Sequence, residues 1–169
     1  MDTKQAVAIS KKQRMLQYII FVQALLATLG SLYYSTFGDP VMNFMNGTPF
    51  VSYGFTPCEL CWFSRILMYP LVFISLVGLL KKDKKFTDYI LPFPLLGIPL
   101  SIFHYLLQHV KLPINTPCTL NSPCSALQVE YLGFITIPFL ALTAYIVILI
   151  CVILHMRYNK RLELSKGNV

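Results

Sequence analysis

The chain has 169 residues, a net charge of +7 and a mean hydropathy of +0.61. Only 12% of its residues are charged, against roughly a quarter in a soluble domain, which excludes an ordinary water-soluble fold and places the chain in a membrane. Its basic excess is clustered beside apolar runs, so the charge speaks for orientation in a bilayer and not for nucleic acid.

Four apolar runs occupy residues 15–37, 62–80, 89–107 and 132–154. Each is close to the roughly 20 residues that cross a bilayer at 1.5 Å per residue. Backbone in lipid must satisfy its own hydrogen bonds, and short connections make neighbours antiparallel. The expectation is an all-α membrane protein: a four-transmembrane-helix antiparallel bundle forming a single integral membrane domain over 1–169.

The first run follows Lys4, Lys11, Lys12 and Arg14. It is longer than the roughly 7–15-residue core of a secretory signal and lacks an Ala-x-Ala cleavage site, so it reads as a retained helix. The loop at 38–61 carries Phe44, Phe50, Val51 and Phe55, which suits a segment lying on the membrane surface. Lys81, Lys82, Lys84 and Lys85 fill the next connection, and Arg157, Lys160, Arg161 and Lys166 follow the last run. The loops at 38–61 and 108–131 hold Lys111 as their one basic residue, Arg65 lying within the second run. The positive-inside rule therefore puts both termini and the lysine loop in the cytoplasm, and those two loops outside. Tyr33, Tyr34, Trp62 and Tyr131 at one end and Tyr18, Tyr89 and Tyr158 at the other are interfacial anchors. In the third run Pro92 and Pro94 suit a first turn, while Pro99 is interior and removes a ladder bond.

The chemistry gathers at the second helix. Thr56-Pro57-Cys58-Glu59 reads as a helix start, with Thr56 as N-cap, Pro57 in the first helical position and Glu59 completing a capping box. Cys58 and Cys61 then sit in the first turns, where free N–H groups and the helix dipole favour the thiolate that exchanges with disulfides. Arg65 follows Cys61 by one turn, about 6 Å deeper. A charge at that depth is costly and marks either function, stabilising a thiolate or a reduced quinone oxygen, or a side chain snorkelling to lipid phosphate. His104 falls at similar depth on the third helix, where it is either a quinone hydrogen-bond donor or a satisfied interfacial histidine. His109 and His155 read as surface residues at the two edges, and Cys151 as a buried, inert thiol.

Thr116-Pro117-Cys118 and Ser122-Pro123-Cys124 repeat one pattern in the loop at 108–131. On the oxidising side this pair is either a redox disulfide or a structural staple. A four-cysteine zinc site is a further alternative, disfavoured by the separation of the two pairs and by the compartment. Trp62 stands where c-type haem attachment needs histidine after the second cysteine.

Pro57-Cys58-Glu59-Leu60-Cys61-Trp62, the run Arg65-Ile66-Leu67-Met68-Tyr69-Pro70 and Phe134-Ile135-Thr136-Ile137-Pro138 together resemble the DsbB family, in particular its Gram-positive BdbC subgroup. The resemblance covers nearly the whole chain in helix number, topology and cysteine order. It implies a quinone-linked disulfide oxidase of the bacterial plasma membrane. An extracytoplasmic thioredoxin-fold partner of the DsbA or BdbD type would deliver two electrons to a Cys118–Cys124 disulfide, with Cys118 forming the mixed disulfide. Cys58–Cys61 would relay them to a menaquinone- or ubiquinone-type quinone held near Arg65, His104 and Trp62, with Cys61 adjacent to it. Many family members carry Gln before the arginine, where this chain has Ser64. The close Cys118–Cys124 spacing restricts the rearrangement that would carry those sulfurs to the first pair. Vitamin K epoxide reductases place their loop cysteines before the Cys-x-x-Cys, the reverse of the order here. The alternative from another class is a structural membrane protein whose outer loops are tied by disulfides or zinc.

Overall fold

A computed structural model describes residues 3–38, 57–83, 85–110, 124, 130, 132 and 134–166. Five helices occur among them: α1 (Thr3–Phe37), α2 (Glu59–Lys81), α3 (Phe86–Ile90), α4 (Pro92–His109) and α5 (Ile137–Lys166). Four stretches are long and apolar enough to cross a membrane: Val7–Phe37, Glu59–Lys81, Phe86–His109 and Ile137–Leu164. Large apolar side chains such as Leu29, Phe73, Leu80, Leu96 and Ile150 point outward along them. In water such faces would be unpartnered, and in lipid they are at home. This is a multi-pass membrane protein.

The helices form a ring in which α1 packs on α2, α2 on α4, α4 on α5 and α5 on α1. Contacts between the start of one helix and the end of its neighbour make the packing antiparallel. Arg65 of α2 reaches Ser31 and Ser35 of α1, Cys58 meets His104 of α4, and Gln13 of α1 bonds Asn159 of α5. The main core cluster includes Leu16, Ile20, Ala24, Leu71, Phe86, Ile90, Tyr145, Ile148 and Val152. Cys151 belongs to it, as a buried apolar thiol should.

Two glycines let the helices close. A Cβ on Gly97 would come within 2.5 Å of the fully buried Tyr145 ring, and one on Gly78 within 2.7 Å of Phe86. Phe86 folds back over Gly78 because α2 ends in a left-handed Lys82 (φ 52), whose N–H turns back to the Gly78 and Leu79 carbonyls. The third span is interrupted at Leu91, between α3 and α4. Pro92 and Pro94 lack the N–H groups that would bond the carbonyls of Asp88 and Ile90, so the ladder breaks there.

Several expectations need correction. α1 starts at Thr3 and α5 runs to Lys166, well beyond the apolar runs. Hydropathy marks the immersed part of a helix, whereas the polar extensions hold each other through Gln13 and Asn159. The fourth helix starts at Ile137 and not at 132: Leu132 has a φ of 55, and the Thr136 carbonyl takes the first bond, from Leu140. α2 starts at Glu59, with Cys58 as its extended N-cap (φ −70, ψ 169) and no side-chain cap bond. Pro57 is therefore outside the helix, and Thr56 lies outside the described residues. The Cys58 carbonyl accepts the Trp62 N–H, which fixes the start. His155 is not a surface residue: it is fully buried, edge-on to Phe86, with ring nitrogens 3.4 Å from Gln17 Nε2 and from Asn159 Nδ2. A polar side chain at a helix end is buried readily when neighbouring helices bring it partners. His109 is exposed as expected.

Candidate active site

Cys58 and Cys61 are free thiols whose sulfurs lie 3.1 Å apart. The extended N-cap conformation of Cys58 swings its sulfur back towards the first turn, where Cys61 occupies the third helical position. His104 Nε2 approaches Cys58 Sγ to 3.7 Å. The two sulfurs and the imidazole nitrogen all lie within 4.8 Å of one another. Cys58, just ahead of the span, has its pKa lowered. The largest cause is the hydrogen bond from the Cys61 thiol; burial opposes it, and the hydrogen bond from His104 lowers it further. The thiolate of the pair is thus favoured on Cys58 when both sulfurs are reduced.

Cys124 is in a disulfide and is 2% exposed. It packs in one cluster with Cys58, Leu60 and Leu107, against which Cys61, Leu100 and Phe103 also lie. Cys118 lies outside the described residues.

On the other side of the pair a cavity of about 310 Å³ opens between α1, α2, α4 and α5. Cys61, Arg65 and His104 line it among mainly apolar side chains. Cys58 and Trp62 are not in its lining; Trp62 is 54% exposed and sits with its ring 5.4 Å from the Arg65 guanidinium carbon, a cation–π distance. Arg65 is tied to α1. Its Nε donates to Ser31 Oγ at 3.0 Å, and one terminal nitrogen donates to the Ser31 carbonyl at 3.2 Å and to Ser35 Oγ at 2.6 Å. Among the described residues the other terminal nitrogen has no partner, leaving two N–H groups for a ligand. Ser31 and Ser35 were not singled out from the sequence. Their signal was the i, i+4 spacing of two hydroxyls on one face of an apolar helix. Ser64, which replaces the common Gln, lines the cavity and gives its carbonyl to Tyr145 at 2.8 Å.

The arrangement places a cysteine pair and an imidazole together, with a disulfide-bonded Cys124 in the same apolar cluster and an anchored guanidinium on the adjoining cavity. Such a grouping can pass electrons between sulfurs by exchange and hand them to a ligand in the cavity.

Comparison with known proteins decides the family. The model of the disulfide bond formation protein DsbB matches residues 50–155. This chain belongs to the DsbB family. Among its relatives, the probable disulfide formation protein of Oceanobacillus iheyensis is 41% identical over 155 residues, covering 90% of this chain and 97% of its own. The probable disulfide formation protein C of Halalkalibacterium halodurans is 40% identical, covering 88% and 98%. The disulfide bond formation protein C of Bacillus subtilis is 43% identical, covering 79% and 86%. No solved structure gives a significant match. DsbB membership makes this chain a disulfide-generating oxidoreductase of the membrane, and the resemblance to the Gram-positive subgroup holds.

Proposed function

We propose that the chain oxidises an extracytoplasmic dithiol protein of thioredoxin fold and passes the electrons to membrane quinone. Per turnover the partner's two thiols lose two electrons and two protons, becoming a disulfide, and a quinone gains both, becoming a quinol. The partner's thiolate attacks Cys118 of a Cys118–Cys124 disulfide. That pairing is supported by the bonded state of Cys124 beside three free thiols, Cys58, Cys61 and Cys151. The exchange then moves to Cys58–Cys61, whose oxidised form is regenerated at the cavity.

The observation that carries this reading is the division of labour within the first pair. Both cysteines lie in or against the cluster that contains Cys124, but only Cys61 also lines the cavity beside Arg65. The cavity's donor set suits a quinone: an apolar chamber for a flat ring, a sulfur at its edge and an unshared pair of guanidinium N–H groups. A bound quinone supplies a two-electron acceptor that a thiol pair lacks. Arg65 stabilises negative charge on an oxygen in the cavity, and Ser31 and Ser35 hold it there. His104 favours the Cys58 thiolate. Lys81, Lys82 and Lys85 lie at the bundle end opposite the cysteines, which supports a cytoplasmic lysine turn and extracytoplasmic cysteines.

The alternative of a zinc-tied structural protein needs Cys124 as a thiolate ligand, whereas here it is in a disulfide. The test is to supply purified protein with a reduced thioredoxin-fold dithiol and decylubiquinone and to follow quinone absorbance. Quinone loss coupled to partner disulfide supports the reading; a folded protein that consumes no quinone ends it. With Cys124→Ser, Cys118 should hold the partner as a mixed disulfide released by reductant.

A further inference from the structure

One turn beyond Arg65 and His104, away from the cysteines, two hydroxyls face the same cavity. Tyr69 follows Arg65 by four residues on α2, and Ser101 precedes His104 by three on α4, so each shares a helix face with a residue of the site. Both line the cavity. Ser101 is 2% exposed, and among the described residues neither its Oγ nor the Tyr69 hydroxyl has a hydrogen-bond partner.

Thr28 of α1 and Thr136 share that condition but do not line the cavity. A serine or threonine in an apolar helix commonly satisfies itself by donating to the carbonyl three or four residues back. Ser35, Thr36, Ser75 and Thr143 all do so. Ser101 does not, although it lies inside α4. A buried donor left unmade is costly, and here two such donors line the same chamber.

Building on the quinone reading, we propose that Ser101 and Tyr69 form a second polar station that binds the far carbonyl of a para-quinone. The ring lies in the cavity with one carbonyl towards Arg65 and the Cys61 sulfur. The opposite carbonyl, one ring-length deeper, accepts hydrogen bonds from the Ser101 and Tyr69 hydroxyls. The two stations lie a helical turn apart along α2 and α4, so the cavity offers polar groups at two depths. The site therefore selects a ring with two carbonyls in para relation over one with a single carbonyl. Ser101 and Tyr69 contribute to binding and orientation; the electrons still leave through Cys61.

The test measures binding directly. Trp62 is the one tryptophan in the chain and stands beside Arg65, so its fluorescence reports a ligand in the cavity. Titrations of wild type, Ser101→Ala, Tyr69→Phe and the double variant would use 2-methyl-1,4-naphthoquinone and, as a one-carbonyl probe, 2-methyl-1-tetralone. Each single variant is expected to weaken naphthoquinone binding by about three- to tenfold, the worth of one neutral hydrogen bond, and the double variant more. Tetralone binding should stay within twofold of wild type throughout. The KM for quinone should rise by the same factor as its dissociation constant.

Unchanged naphthoquinone affinity in the folded variants overturns the proposal. Equal weakening of both probes overturns it as well, because that marks a general loosening of the cavity. If wild type binds neither quinone nor tetralone, the quinone reading fails together with this one. If wild type binds and reduces quinone while the variants match it, this inference alone fails.

Discussion

The two ends of the bundle are built from the same four spans yet treat their polar groups in opposite ways. At the lysine end, Gln13, Gln17, Asn159 and His155 are buried or half-buried and bonded to one another, and Gln17 also donates to the Asp83 carbonyl at 3.3 Å. Phe86 seals that end against Gly78. At the cysteine end, α1 has no buried residue from 25 to 37 and a cavity opens; among the described residues one guanidinium nitrogen there has no partner, and Ser101 and Tyr69 carry unmade hydrogen bonds. A closed, self-satisfied end gives the helices their register. An end with space and spare donors is an end that expects a ligand.

The comparison can be broken first at Arg65. Replacing it by leucine should weaken quinone binding by about ten- to a hundredfold, the worth of a hydrogen bond to a charged group. Trp62 fluorescence and the quinone KM both read it, and an unchanged KM would detach the arginine from the cavity's ligand. Next comes the opposite end. His155→Leu should destabilise the protein by about 1–3 kcal/mol by removing the buried contacts of its ring with Gln17 and Asn159, seen as a lower unfolding midpoint in detergent. The quinone KM should not move; a shift would mean that the two ends are not separable.

Ser31 and Ser35 give a smaller effect. Changing both to alanine leaves Arg65 in place but loosens it, and quinone affinity should fall several-fold, less than with Arg65→Leu. A loss as large as that of the arginine itself would make the serines direct ligands.

The mildest test is a pH profile. The reactive form of Cys58 is the thiolate, and its pKa is lowered, in part by His104. In the reduced protein its alkylation, followed by mass spectrometry, should therefore proceed at a pH below the usual thiol range near 8.5. His104→Ala removes one lowering cause, so the profile should move to higher pH. A profile that stays put or moves down would contradict the hydrogen bond assigned to His104.

Much of this architecture is written in the sequence because lipid enforces it. Four apolar runs and three basic clusters gave the spans, and the Cys-x-x-Cys with Arg65 one turn on gave the site. What the sequence concealed was set by partners distant in the chain. The polar extensions of α1 and α5 carry no hydropathy signal, since they are helical through contact with each other at Gln13 and Asn159. His155 reads as an edge residue until Gln17 is seen opposite it. Arg65 alone could be snorkelling; only the Ser31 and Ser35 hydroxyls show that it is held in place.

The central claim is that Cys61, on the cavity, hands electrons to quinone. Its most direct test is a single turnover: reduced wild type and reduced Cys61→Ser, each mixed with a slight excess of decylubiquinone and followed by absorbance without any partner. Wild type should form at least one quinol as Cys58–Cys61 closes to a disulfide, and Cys61→Ser should form none. Quinol formation by Cys61→Ser at the wild-type rate would contradict the account.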